Sequence, residues 1–316
     1  MNYKLYLDCK KAYENNQNIM DLVKKKNPDN RSLAIEIAYD LQAGSYIKDF
    51  YQNEDIKRFY TNEVGSLLER YINKDSIILN VGAGELWTIS LMLEKSAVKP
   101  KKLYNLEISW SRLHKGSKFW NSIHGNTITM KPFVADMLAI PLLSKSVDIV
   151  TSSHGLEPNG SQLEKVLAEL FRVGRDKCVL FEPCYELCSK EGQQRMDRLG
   201  YIKDVASVVD KLGGKVEEVI QITNSINKLN PTACFVIKPP SGVISSDEYD
   251  SFTVPGTDYS LELKEDCYYS INKYFFENNI KFQNWKFSFS IRYLFISFCS
   301  CIIFYFIPFF YIYIHF

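Results

Sequence analysis

The chain has 316 residues, 38 Lys and Arg against 37 Asp and Glu, 46% hydrophobic and 24% charged residues. That composition excludes a disordered, collagenous or disulfide-scaffold chain, and the length suits two domains or one α/β domain with appendages. Lys281, Lys286 and Arg292 meet no acid in the last 36 residues, so residues 1–280 hold 35 cations against 37 acids, a balance that speaks against an extended nucleic-acid surface.

Residues 1–73 read as helical. Leu33, Ile35, Ile37, Ala38 and Leu41 recur at three-and-four spacing, Gly44 breaks the pattern, and Phe59, Val64, Leu67, Leu68 and Tyr71 fall on one face of a helix from Glu54 to Ile72. From Ser76 short apolar runs alternate with helical ones: strands at 77–81, 103–107, 128–135, 147–150 and 178–181, with helices near 86–94, 111–120 and 163–173 between them. Strand and helix alternating at this spacing imply parallel pairing with right-handed crossovers, hence an α/β doubly wound sheet over residues 74–240. A helix near Asp197–Lys211 precedes two last strands, 216–222 and 234–238. The loop between those strands is too short for a crossover helix, so they form an antiparallel hairpin at one edge.

After Pro239-Pro240-Ser241-Gly242 the character changes, which sets off a small appended segment, 241–280, and a tail, 281–316, in which 15 of 36 residues are aromatic. Eight cysteines are scattered without paired CxxC spacing, so no metal site is expected, and Met1 to Lys4 lacks the apolar run of a signal peptide, which favours a cytoplasmic chain.

Open α/β sheets bind ligands beyond the carboxyl ends of their strands, where strand order reverses. The first strand ends in Val81-Gly82-Ala83-Gly84-Glu85-Leu86-Trp87. A dinucleotide fingerprint asks for a third glycine at Trp87, whose bulk opposes a pyrophosphate; this weighs against a nucleotide-cofactor oxidoreductase and suits a phosphate-free cofactor such as S-adenosylmethionine. Glu107 ends the second strand 25 positions after Gly82, where a carboxylate can accept ribose hydroxyls, and Asp136 with Met137 or Leu138 ends the third, for an adenine amino group and ring.

Through these residues the segment 74–240 resembles a class I S-adenosylmethionine-dependent methyltransferase, which implies a Rossmann-like sheet. The stretch Leu79–Glu85 is similar to the family's first motif, Glu107 to its ribose acid, Ala135-Asp136-Met137 to its adenine motif and Val147–Val150 to its fourth strand. Asn80 stands where the family usually has an acid, and Leu86 where it often has a third glycine. The resemblance implies a cofactor set of Gly82, Ala83, Gly84, Glu107, Asp136, Met137 and Ser153. Ala38–Ile47 resembles a helical lid of some bacterial members, in which Gln42, Ser45 or Tyr46 touches the cofactor; plain helix packing is the other reading.

After the fourth strand come Ser153-His154-Gly155-Leu156-Glu157. An imidazole titrates close to working pH, so His154 is the candidate base for a hydroxyl acceptor, with Glu157 orienting it; a loop-capping role is the alternative. Glu182–Glu186, after the fifth strand, is expected at the same rim. His114, His124 and His315 read as surface or tail residues. The acceptor implied is a small molecule or a glycan or lipid-linked intermediate; a non-catalytic S-adenosylmethionine-binding protein is the alternative that Asn80 and Leu86 leave open. Residues 252–270 resemble the start of a zinc-ribbon-like domain of the methyltransferase-activator type. Tyr293 to Phe316 is a 24-residue stretch without formal charge, long enough for a membrane contact with Lys281, Lys286 and Arg292 on its inner side, and its composition equally fits out-of-frame reading of AT-rich DNA.

Overall fold

A computed structural model describes residues 3–17, 19–26, 31–241, 251–253 and 260–262. Five helices come first: α1 (Tyr3–Glu14), α2 (Ile19–Lys26), α3 (Arg31–Leu41), α4 (Ser45–Gln52) and α5 (Glu54–Glu69). Then strands and helices alternate: β1 (Ile77–Val81), α6 (Trp87–Glu94), β2 (Lys102–Glu107), α7 (Trp110–His124), β3 (Met130–Val134), β4 (Val147–Ser153), α8 (Leu163–Val173) and β5 (Gly174–Pro183). The chain continues through α9 (Lys190–Leu199), α10 (Val205–Lys211), β6 (Lys215–Gln221) and β7 (Thr232–Lys238).

The seven strands form one sheet in the order β3-β2-β1-β4-β5-β7-β6. The first five pair in parallel, with Val81 opposite both Leu106 and Ser152, and β7 runs antiparallel between β5 and β6. This is the doubly wound α/β sheet with an edge hairpin that the alternating pattern predicts. Strand order reverses between β1 and β4, which fixes where a ligand site forms.

Successive strand residues point to opposite faces, so the runs feed two cores. Leu79, Val81, Val150, Cys178 and Leu180 meet Val166, Leu167 and Leu170 of α8 and Val205 and Val209 of α10. Ile78, Ile149, Val179 and Phe181 face the other way, onto Val64 and Leu68 of α5, Ile89 and Leu93 of α6 and Leu113 and Trp120 of α7. A separate cluster of Leu5, Cys9, Ile19, Val23, Ala34, Ile37 and Ala38 joins α1, α2 and α3. Full burial of such a side chain contributes about 1.5–3 kcal/mol, so α8, with eight buried residues, is anchored by packing rather than by propensity.

Three expectations need correction. The helix expected over Asp197–Lys211 is two helices, because Gly200 takes a left-handed turn (φ 66°) that ends α9. Phe59 is exposed, and it is Tyr60 that packs inward with Val64 and Leu68. His124 is buried, its Nε2 at 2.8 Å from the Ser90 carbonyl oxygen, and burial holds its pKa below the usual histidine value. Beyond Ser241, β8 (Ser251–Thr253) pairs antiparallel with β9 (Ser260–Glu262). The zinc-ribbon-like resemblance rests mostly, and the tail 281–316 wholly, on residues outside those described.

Candidate active site

A cavity of about 250 Å³ opens at the carboxyl ends of β1, β2, β3 and β4. Gly82, Ala83, Gly84, Glu107, Asp136, Met137, Ser153, Tyr46, His154 and Glu157 all line it. Residues 46 to 157 thus converge because four strand ends and α4 meet there.

The turn after β1 needs glycine for two reasons. Gly82 has φ 65°, and a Cβ there would come within 2.6 Å of the Gly155 Cα. The β1 turn and the loop after β4 are therefore packed backbone to backbone, an approach only glycine allows. Leu86, just before α6, also sits in the left-handed region (φ 58°, ψ 1°) and is fully buried. A glycine is the usual residue for that backbone, which accounts for the family's preference; here burial of the leucine offsets a strain of order 1 kcal/mol.

Glu107 ties the turn to β2. Its Oε2 accepts from the Gly84 N–H at 2.7 Å and its Oε1 from the Ser109 N–H at 2.9 Å, which leaves lone pairs on both oxygens for the cavity. Asn80 is not left unpaired by the absence of an acid: its Nδ2 donates to Asn105 Oδ1 at 2.9 Å across the β1–β2 register. Asp136 accepts from the Leu138 N–H at 3.0 Å, which fixes its carboxylate at the cavity wall beside Met137.

The N-terminus of α4 is fastened to the glycine turn by residues from distant parts of the chain. Glu85, fully buried, accepts from the backbone N–H groups of Gly44 at 2.7 Å and Ile47 at 2.8 Å, so the N-terminus of α4 sits on the glycine turn. Arg112 lies between the rings of Tyr39 and Tyr46, at 4.5 and 4.4 Å from their centroids. Burial disfavours its charge, but Glu107, the two tyrosines and Glu85 outweigh that and hold its pKa above the usual value. Gly116, one turn further along α7, faces the Glu85 backbone, where a Cβ would be 2.5 Å from the carbonyl carbon. Tyr46 reaches the cavity; Gln42 and Ser45 do not line it.

At the end of β4 the geometry is dense. His154 has a left-handed backbone (φ 56°); its Nδ1 is 2.8 Å from Glu157 Oε2 and its Nε2 2.8 Å from Thr232 Oγ1. Burial works against a charged imidazole, but the Glu157 hydrogen bond and charge prevail and raise its pKa. Glu157 is held below the usual carboxylate range because His154, Tyr201 and Asn230 outweigh its burial. The two form an ion pair when His154 is protonated. The Tyr60 hydroxyl lies 2.9 Å from Ser153 Oγ.

Glu182–Glu186 does not line the cavity, contrary to expectation. Glu182 turns beneath the rim loop, where its Oε1 accepts from the Ser152 hydroxyl at 2.7 Å and from the N–H groups of Gly155 and Leu156, both at 3.1 Å. Ser152 and Glu182 hang from neighbouring strands, so pairing follows from the β4–β5 register.

No family model matches the chain, and no curated protein matches it. Solved structures do. Magnesium protoporphyrin IX methyltransferase from Synechocystis PCC 6803, with bound S-adenosylhomocysteine, is 10% identical over 64% of this chain and 98% of that one, with a TM-score of 0.49. An S-adenosylmethionine-dependent methyltransferase from Aquifex aeolicus is 15% identical over 60% and 97%, with a TM-score of 0.44. Another from Methanosarcina mazei is 16% identical over 56% and 98%, with a TM-score of 0.46. All three bear methyltransferase names, and at these identities an activity belongs to those proteins alone.

Proposed function

We propose that the chain is an S-adenosylmethionine-dependent methyltransferase that methylates a hydroxyl of a small molecule, glycan or lipid-linked intermediate. The observation that carries this is the convergence, in one cavity at the β1–β4 reversal, of the glycine turn, Glu107, Asp136 and an imidazole. Gly82, Ala83 and Gly84 would receive the cofactor's amino-acid portion, Glu107 its ribose, Asp136 and Met137 its adenine, with Ser153 and Tyr46 closing the wall. Trp87 lines the cavity at the start of α6, where a dinucleotide pyrophosphate would need a glycine.

Held by these residues, the cofactor would supply a methyl group on a sulfonium: an acceptor oxygen would form the new O–C bond in line as the C–S bond broke, its electron pair returning to sulfur as a neutral thioether. Holding the two partners in line supplies most of the acceleration. Glu157 keeps the His154 Nδ1 as donor, which leaves Nε2, now 2.8 Å from Thr232 Oγ1, as the basic nitrogen that would take the hydroxyl proton. Because His154 must be neutral to act, kcat/KM rises with pH through a midpoint above 6.5, the ordinary value from which its pKa is raised.

The test is methyl transfer from labelled S-adenosylmethionine into lipid and glycan fractions of a cell extract. Label is expected in one fraction, and H154N is expected to lower its rate by ~10²-fold or more while leaving cofactor affinity intact. Unchanged turnover in H154N would remove the base; absence of transfer and of cofactor binding would remove the function.

A further inference from the structure

The charged groups of the cavity wall are almost all occupied within the protein. Glu85 holds lid amides, Glu107 the amides of Gly84 and Ser109, Asp136 the amide of Leu138, and Glu157 the side chains of His154 and Asn230. Lys57 is paired with Asp49 at 2.5 Å, and Arg112 lies between two tyrosine rings beside Glu85.

Arg195 differs. It lines the cavity from α9, its guanidinium rests 5.5 Å from the Tyr201 ring centroid, and no carboxylate among the described residues lies within ion-pair distance. Its Nη1 is buried and has no hydrogen-bond partner. Asn230, also in the wall and 4% exposed, donates its Nδ2 to Glu157 at 2.9 Å, which assigns the amide; its Oδ1 is buried and equally without a partner. A cation with an unmet donor and an amide with an unmet acceptor thus line the same cavity.

Asn230 is held in place. The 223–231 loop that carries Asn230 is fastened to α5 by Glu63, which accepts from the N–H groups of Thr223 and Asn224 at 2.7 and 2.8 Å. Inside the loop Asn227 Oδ1 accepts from the Leu229 N–H at 3.0 Å. Arg195, Asn230 and Glu157 come from segments that follow β5, β6 and β4, whereas Glu107 ends β2 and Asp136 and Met137 follow β3. A cofactor seated on the second group leaves the first for the acceptor.

We infer that Arg195 and Asn230 form an anion subsite for the acceptor: the methyl-receiving molecule is a hydroxyl-bearing anion whose carboxylate or phosphate oxygen pairs with Arg195 while a hydroxyl donates to Asn230 Oδ1. The guanidinium fork matches either oxyanion, and such charge-assisted bonds are the stronger ones. This inference rests on the methyl-transfer reading, and its test separates the two.

The folded chain is first titrated with S-adenosylhomocysteine, then, saturated with it, with D-glucose, D-glucuronate and D-glucose 6-phosphate, which differ at a single position. At least one anionic sugar is expected to bind about tenfold or more tighter than glucose, glucuronate marking a carboxylate ligand and glucose 6-phosphate a phosphate. R195Q is expected to erase that preference with S-adenosylhomocysteine affinity unchanged, and R195K to keep part of it. Glucose binding as well as both anions, neither anion binding up to about 10 mM, or a preference that survives R195Q overturns the subsite. A loss of S-adenosylhomocysteine affinity in R195Q also overturns it, since the guanidinium then serves the cofactor's own carboxylate. Failure of the wild-type chain to bind S-adenosylhomocysteine overturns the methyl-transfer reading instead.

Discussion

Glu182→Gln changes one atom of a buried carboxyl and should change how the stability of the protein depends on pH. Glu182 is 1% exposed, and while Oε1 accepts three hydrogen bonds, Oε2 is buried with no partner. Burial is the leading influence and pushes the pKa up from 4.5 to about 7, against the opposing effects of His154, the Ser152 hydroxyl and the Leu156 amide. The folded chain therefore holds a proton that the unfolded chain releases. A raised folded pKa means the stabilisation is present below about pH 4.5 and is lost as pH rises through about 7. Between pH 5 and 8 that amounts to about 2–3 kcal/mol, at about 1.4 kcal/mol per unit. Glutamine offers the same acceptor to Ser152, Gly155 and Leu156 and cannot ionise, so E182Q should lose this dependence. His154, also raised, gives a further slope of the same sign above 6.5, which the variant keeps through Glu157. Urea unfolding at pH 5 and pH 8 measures the effect: relative to wild type, E182Q should gain about 2–3 kcal/mol at the higher pH. Parallel profiles for the two proteins would show instead that Glu182 is ionised in the fold.

Two further substitutions probe the cavity from other sides. Gly82→Ala drives a methyl group to 2.6 Å from the Gly155 Cα at a backbone of positive φ; a stability loss of about 1–3 kcal/mol in urea unfolding and a weakened S-adenosylhomocysteine affinity are expected, and a variant as stable and as tight as wild type would contradict the close packing of the two turns. Glu85→Gln removes the charge that receives the Gly44 and Ile47 amides; trypsin should then cut faster at the exposed Lys48, and S-adenosylhomocysteine should bind about tenfold more weakly. Unchanged proteolysis would mean that packing alone holds α4 down.

The doubly wound sheet was legible because each strand is a short apolar run and each crossover has a helical period, signals that lie within a few adjacent residues. The same holds for the glycine turn, Glu107 and Asp136, which sit at strand ends that topology brings together. Glu85 and Arg112 were not legible: their partners Gly44, Ile47, Tyr39 and Tyr46 lie about 40 or more positions away, and an acid in the loop before α6 or an arginine in the first turn of α7 looks like any solvated charge. Gly155 was silent for a related reason, since its need for glycine comes from Gly82 across the sheet. Glu182 was read as a rim residue, whereas the β4–β5 register aims it beneath the loop at Ser152. Asn80 is a departure from the family pattern that the fold absorbs through Asn105, its register partner on β2.

Calorimetric titration of the folded wild-type chain and of Glu107→Gln with S-adenosylhomocysteine tests whether the cavity holds this cofactor. One molecule bound per chain, with affinity reduced about tenfold or more when Glu107 can no longer offer two acceptor oxygens to a ribose, is the predicted result. A folded wild-type chain that takes up no S-adenosylhomocysteine, or that binds NADH in its place, would contradict it.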